Sequence, residues 1–119
     1  MFDHIGLKVR NLDASVRFYT AALAPLGYAV CSHDDSGASF GPPDAPALWF
    51  YPAEDSPRSD VHVAIRAGDH AAVKRFHAAG LKAGGRDNGG PELLTDYGPT
   101  YYAAFLFDPD GNNVEAVCT

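Results

Sequence analysis

The chain carries the same segment twice, and that repeat limits what it can fold into. Laying each residue from His4 to Gly27 over the one 58 positions later pairs His4 with His62, Ala14 with Ala72, Arg17 with Arg75 and Phe18 with Phe76. Ala21 then falls on Ala79, Leu23 on Leu81 and Gly27 on Gly85, giving 7 identities in 24 ungapped positions. About two would arise by chance from ordinary residue frequencies. Ile5 with Val63, Leu7 with Ile65, Lys8 with Arg66 and Asn11 with Asp69 are near-matches. Such self-similarity marks a duplicated structural unit. A copy of about 58 residues is marginal alone, so the two should share one core.

Each copy opens as a strand. Ile5, Leu7 and Val9 alternate with His4, Gly6 and Lys8, and Val61, Val63 and Ile65 with His62, Ala64 and Arg66. The apolar sets should face a helix and the two histidines the opposite side. Asn11 and Asp69 are expected N-caps. The first helix carries Leu12, Val16, Phe18, Tyr19 and Leu23 and ends at Pro25 and Gly27; the second carries Ala72, Val73, Phe76 and Ala79 and ends at Gly80. Strands are expected over Tyr28–Ser32, Ala38–Gly41 and Ala47–Tyr51, then a proline-bearing connector from Pro52 to about residue 60. In the second copy Gly84–Thr100 reads as a short strand followed by a mobile loop. Tyr101–Phe107 and Asn113–Cys118 are strands around the turn Asp108-Pro109-Asp110-Gly111, which is turn chemistry, since the later ligands of a calcium loop are missing. The order is strand, helix and three strands, twice: one domain over 1–119, with modules of about 1–52 and 61–119.

Composition excludes several roles. Nine basic against 15 acidic residues give a net charge of −6, without the positive field a nucleic-acid surface or anionic membrane needs. No segment approaches a membrane span of about 18 apolar residues. No charged leader followed by an apolar stretch is visible before Phe2, so the expected location is the cytoplasm. Cys31 and Cys118, far apart and unpatterned, suit reduced thiols better than a disulfide framework.

Three polar side chains stand out in combination. A pseudo-twofold axis between the copies would bring His4 and His62 face to face. Glu115 sits inside the apolar strand Val114-Glu115-Ala116-Val117, where a carboxylate without a partner is costly to desolvate. Two imidazoles and one carboxylate with open positions form a divalent-metal set, so His4, His62 and Glu115 are the candidate ligands. Tyr101 and Tyr97 are candidate catalytic phenols that could donate a proton beside a Lewis acid. Lys8 and Arg66, matched across the repeat, lie on the ligand side near strand ends in solvent. His33, His70 and His77 read as surface residues.

Two stretches resemble a known family. Asp3-His4-Ile5-Gly6-Leu7-Lys8-Val9, followed by Leu12, Ser15 and Phe18-Tyr19, resembles the opening of the vicinal oxygen chelate superfamily. Phe107-Asp108-Pro109-Asp110-Gly111-Asn112-Asn113-Val114-Glu115 resembles its closing turn and ligand strand. Glyoxalase I, extradiol dioxygenases, fosfomycin-resistance transferases and bleomycin-binding proteins belong there. The resemblance implies an α+β fold of two paired βαβββ modules, a curled mixed sheet around a metal-binding cleft. It also implies a divalent ion (Fe, Mn, Zn or Ni) on His4, His62 and Glu115, a small-molecule substrate, and a homodimer in which the two histidines of a site could come from different chains.

Departures from the family narrow the activity. Setting Ala47–Phe50 against Val114–Val117 puts Leu48 where glyoxalase I has a second glutamate. Phe105 and Gly6 replace a tyrosine and a threonine of the dioxygenase and fosfomycin patterns. The expected function is a small glyoxalase-like metalloenzyme that chelates an oxygen-bearing substrate for lyase, isomerase or dioxygenase chemistry. The alternative is a metal-free binder of the bleomycin-resistance type, using acidic charge and Trp49, Phe50 and Tyr51.

Overall fold

Asn11 and Asp69 open the two helices in the same way. The Asn11 side chain accepts from the Ala14 amide at 3.0 Å and that of Asp69 from Ala72 at 2.7 Å, each satisfying a donor the first turn leaves free. The computed structural model describes residues 1–119. Its elements are β1 (Ile5–Val9), α1 (Leu12–Leu23) with a 3-10 turn at Ala24–Leu26, β2 (Ala29–Asp34), β3 (Gly37–Gly41), β4 (Leu48–Pro52), β5 (His62–Arg66), α2 (His70–Lys82), β6 (Arg86–Asp87), β7 (Glu92–Leu93), β8 (Tyr102–Phe107) and β9 (Asn113–Cys118).

The fold is α+β, with two helices and two mixed sheets. The first sheet runs β1-β4-β3-β2 and the second β5-β9-β8-β6, with β7 also on β8. In each sheet the opening strand pairs in parallel with the module's last strand and the remaining ladders are antiparallel. The sheets are separate and unclosed. β6 and β7 together stand where β2 stands in the first module, so the predicted order holds with one strand broken. The break falls between Asp87 and Glu92, where Gly89 adopts φ +137°, open to glycine and strained for other residues. A second short strand thus occupies part of the predicted loop.

Burial follows the alternation. Leu7 and Val9 are buried and Ile5 half-buried, while His4, Gly6 and Lys8 are exposed, and β5 repeats the pattern less deeply. Phe18, Tyr19, Ala22 and Leu23 of α1 and Ala72, Val73 and Phe76 of α2 join Leu7, Phe40, Phe50, Leu106 and Val114 in one cluster. The modules share that core through their helices, as two undersized copies must. Tyr19 is packed at 4.5 Å from the Phe50 ring and 4.8 Å, edge-on, from Phe18. Cys31 and Cys118 are free and half-buried.

Gly80 lies inside α2 rather than at its end. A Cβ there would collide with Leu106 Cδ1 and come within 3.2 Å of Phe18 Cε1, so glycine is what allows α1 and β8 to approach the helix. Its carbonyl also accepts from the Ala83 and Gly85 amides, which closes the helix. Gly80→Ala should lose stability by about 1–2 kcal/mol in chemical denaturation, because overpacking outweighs the gain of about 1 kcal/mol in helix propensity. A stabilised variant would show that the helix contact is slack.

The turn Asp108–Asn112 fastens the modules together. Asp108 Oδ1 accepts from the Asp110 and Asn112 amides, both at 2.9 Å. Oδ2 accepts from Asn112 Nδ2 at 2.9 Å and from the Tyr19 hydroxyl of α1 at 2.6 Å. Asn112 Oδ1 in turn accepts from Ser59 Oγ at 2.7 Å and the Val61 amide at 3.1 Å, while Arg10 Nε donates to Asp110 Oδ1 at 3.3 Å. These buried polar groups belong to the architecture.

Candidate functional site

Three neighbouring elements of the second sheet bring His62, Glu115 and Tyr101 together. Parallel pairing puts Ala64 of β5 opposite Glu115 of β9, so His62 lies one diagonal away on the same face. Antiparallel pairing puts Phe105 of β8 opposite Glu115 from the other side. Tyr101, just before β8, shares the face of Ala103 and Phe105. Ala103 is too small to block the phenol, which reaches diagonally to the carboxylate.

The carboxylate uses one oxygen for each partner. His62 Nε2 is 2.8 Å from Glu115 Oε1, and the Tyr101 hydroxyl donates to Oε2. Glu115 is 2% exposed, whereas the His62 side chain is 53% exposed, so the group is a buried acceptor beneath an accessible imidazole. The Phe105 ring stands 6.4 Å from that imidazole. The Tyr101 phenol is pushed up to about 12, first by its hydrogen bond to Glu115, then by burial and the carboxylate charge. It therefore keeps its proton at neutral pH. Tyr97 packs edge-on against Tyr101 at 5.4 Å and is 70% exposed.

His4 stands apart from this cluster. It precedes β1, its side chain is 53% exposed, and its Nδ1 lies 2.7 Å from Asp3 Oδ1. No three His, Cys, Asp or Glu side chains of the chain gather closely enough to hold an ion. Two of the three predicted donors converge within one chain. The 2.8 Å between His62 Nε2 and Glu115 Oε1 is a hydrogen-bond distance, shorter than the roughly 3.4 Å between two donors of one tetrahedral ion, so the two side chains would have to move apart to share one.

Register corrects one sequence expectation. Ile5 pairs with Leu48 and Gly6 with Trp49, while Ala64, the repeat partner of Gly6, pairs with Glu115. The counterpart of Glu115 in the first module is therefore Trp49. Leu48 is buried against the core, one position out of phase. Neither residue offers a carboxylate, so the first module still lacks the second base. Among the remaining histidines, His33 and His70 are exposed as expected, His70 stacking on Tyr102 at 3.9 Å, whereas His77 is half-buried and bonded to Asp87 at 2.9 Å. Lys8 and Arg66 are exposed, as expected.

No helix is long and apolar enough to cross a membrane. The chain is similar to a glyoxalase/bleomycin resistance protein from Albidiferax ferrireducens T118, with 26% identity, TM-score 0.82, and coverage of 99% of this chain and 98% of that one. It is also similar to an E144Q mutant of glyoxalase I from Zea mays, at 26% identity and TM-score 0.76, covering 97% of this chain but 45% of that one. The bleomycin resistance determinant encoded on transposon Tn5 shares the fold at 21% identity and TM-score 0.65, with coverage of 96% and 93%. Among curated proteins none matches. The family described as the Glyoxalase/Bleomycin resistance protein/Dioxygenase superfamily matches residues 1–116, and the chain belongs to it.

Proposed function

We propose that the protein is a small metal-dependent enzyme that binds an oxygen-bearing substrate on the helix-free face of the second sheet. One observation carries the reading: a carboxylate almost fully removed from water, shared between an accessible imidazole and a phenol. Burying such a group costs several kcal/mol unless something compensates, and a cation at an open edge does so. His62 and Glu115 would hold the ion, with His4 of the partner subunit in a homodimer as third donor. When bound, the ion supplies Lewis-acid polarisation of a substrate oxygen. Tyr101 keeps its proton at Oη and can present it to an oxygen of the substrate, while Tyr97 covers Tyr101 on the solvent side. Phe105 walls the site beside the imidazole without offering a base, and neither Leu48 nor Trp49 of the first module supplies one, which favours lyase, isomerase or dioxygenase chemistry that draws its base from outside the first module.

The test mixes two inactive variants. His4→Ala and His62→Ala should each purify without stoichiometric metal, and a refolded equimolar mixture should recover metal at about a quarter of the wild-type content, because about half of the dimers are mixed and one of the two sites in each mixed dimer keeps every ligand. No recovery would show that the ligands are not shared between subunits. A wild-type protein purified without chelator and free of metal would sink the enzyme reading. It would favour a metal-free binder, for which the first sheet offers Trp49 and Tyr51 on the face of Gly6 and Lys8. A Cβ at Gly6 would come within 3.0 Å of Tyr51 Cε2, so the tyrosine ring lies flat across that face.

A further inference from the structure

Four residues stand in one row across the helix-free face of the second sheet. His62 pairs with Asn113, Asn113 with Phe107 and Phe107 with Arg86, and directly paired residues point to the same side of a sheet. Arg86 therefore shares the face of His62 and Glu115, from the end of the sheet opposite β5. Its Cζ lies 5.1 Å from the centre of the Phe107 ring, so the exposed guanidinium leans inward over that ring. The two-residue strand that carries it is well anchored. Asp87, on the other side of β6, accepts from the Gly89 amide at 3.0 Å and lies 2.9 Å from His77 Nε2 of α2. The Asn88 amide donates to the Phe105 carbonyl at 3.1 Å and the Phe105 amide to the Gly89 carbonyl at 2.8 Å.

No carboxylate of the chain neutralises this cation. The ion pairs fall at His4, Arg10, His62 and His77. Glu92 shares the face through its pairing with Ala103, but Ala103 is four residues along β8 from Phe107, roughly 13 Å away. A guanidinium stacked on a ring, with its N–H fork unpaired, is ready to accept a planar carboxylate. The surface between it and Glu115 is apolar, because Phe105 and Phe107 are both half-buried on that face. Diagonal neighbours such as Phe107 and Glu115 stand roughly 7–8 Å apart, which puts the guanidinium on the order of 8–10 Å from the Glu115 carboxylate.

On the reading of His62 and Glu115 as metal ligands, we infer that the substrate is a diacid with a short apolar spacer. One end offers neighbouring oxygens to the ion, the spacer lies on Phe105 and Phe107, and the far carboxylate is held by Arg86. 2-Oxoadipate and 2-oxohexanoate are the probes, the same carbon chain with and without a far carboxylate. Titrated by calorimetry into the full chain loaded with Zn2+, 2-oxoadipate should bind about tenfold more tightly. Arg86→Ala should erase that preference while leaving 2-oxohexanoate and the Zn2+ affinity unchanged. Arg86→Lys should restore part of it, since the charge returns without the fork. Equal binding of the two acids to the wild type, or a loss in Arg86→Ala shared by both, would overturn the inference and leave the metal reading standing. Wild-type protein that takes up neither Zn2+, Mn2+ nor Ni2+ would sink the metal reading instead. Arg86 is then read by itself with glutarate: a saturable shift of its Nε–H resonance upholds the anion site, and no shift overturns it.

Discussion

Asp108→Ala is expected to lower the free energy of unfolding by about 3–5 kcal/mol, a large part of what a domain of this size holds. The 2% exposed carboxylate accepts from two backbone amides, the Asn112 amide group and the Tyr19 hydroxyl. Alanine would leave four buried donors without a partner while also releasing α1 from the turn of the second module. The drop should appear as a lower urea midpoint at an unchanged denaturant slope. Tyr19→Phe removes one donor together with its own need, so it should cost only about 1 kcal/mol. A midpoint for Asp108→Ala equal to that of Tyr19→Phe would show that the turn does not clamp the modules. The same pair sets an alkaline limit. Burial, and then the Asp108 charge, push the Tyr19 phenol well above 10 in the folded chain, whereas an unfolded tyrosine ionises near 10. The contribution is complete below pH 10 and is lost as pH rises beyond it, because only the unfolded state then releases the proton. In Tyr19→Phe the alkaline decline should be shallower.

Much of this could be read from the chain because the duplication leaves local marks. Asn11 and Asp69 are caps, Phe18 and Phe76 are both fully buried, and both histidines leave the apolar face, all from residue type and period. What resisted reading depends on partners distant in sequence. Gly80 resembles a helix stop until Phe18 and Leu106 are seen pressed against it. Leu48 looks equivalent to Glu115 when segments are matched by composition. A slip of one residue exchanges the two faces of a strand, and only the ladder shows that Trp49 holds that place. Asp108 and Asn112 announce a turn, but their partners Tyr19, Ser59 and Val61 lie 89, 53 and 51 positions away. The contact of Tyr101 with Glu115 was within reach, since the turn fixes a hairpin with Phe105 opposite Glu115 and Tyr101 on the same face. Whether His4 joins its repeat partner is a question of module packing, which no strand pattern encodes.

Glu115→Gln should weaken binding of a divalent ion, measured by competition with a chelating dye, by about 100-fold or more. The substitution keeps shape and an acceptor for Tyr101, so the loss isolates the charge and donor strength of the carboxylate. His62→Ala should lose affinity to a similar degree, and if both side chains are donors to one ion, as proposed, the double variant should lose little further. Glu115→Leu adds a readout that needs no metal. With the acceptor and its charge removed, the Tyr101 phenol should fall from about 12 back toward 10, visible in the ultraviolet band of the phenolate. The two measurements separate two roles of one side chain. Unchanged metal affinity in Glu115→Gln would remove Glu115 from the ligand set, even if the phenol still responds to its loss. A phenol that titrates identically in Glu115→Leu would mean that the carboxylate does not hold the Tyr101 proton, and Tyr101 would lose its place in the proposed chemistry while the metal reading stood on His62 and Glu115 alone.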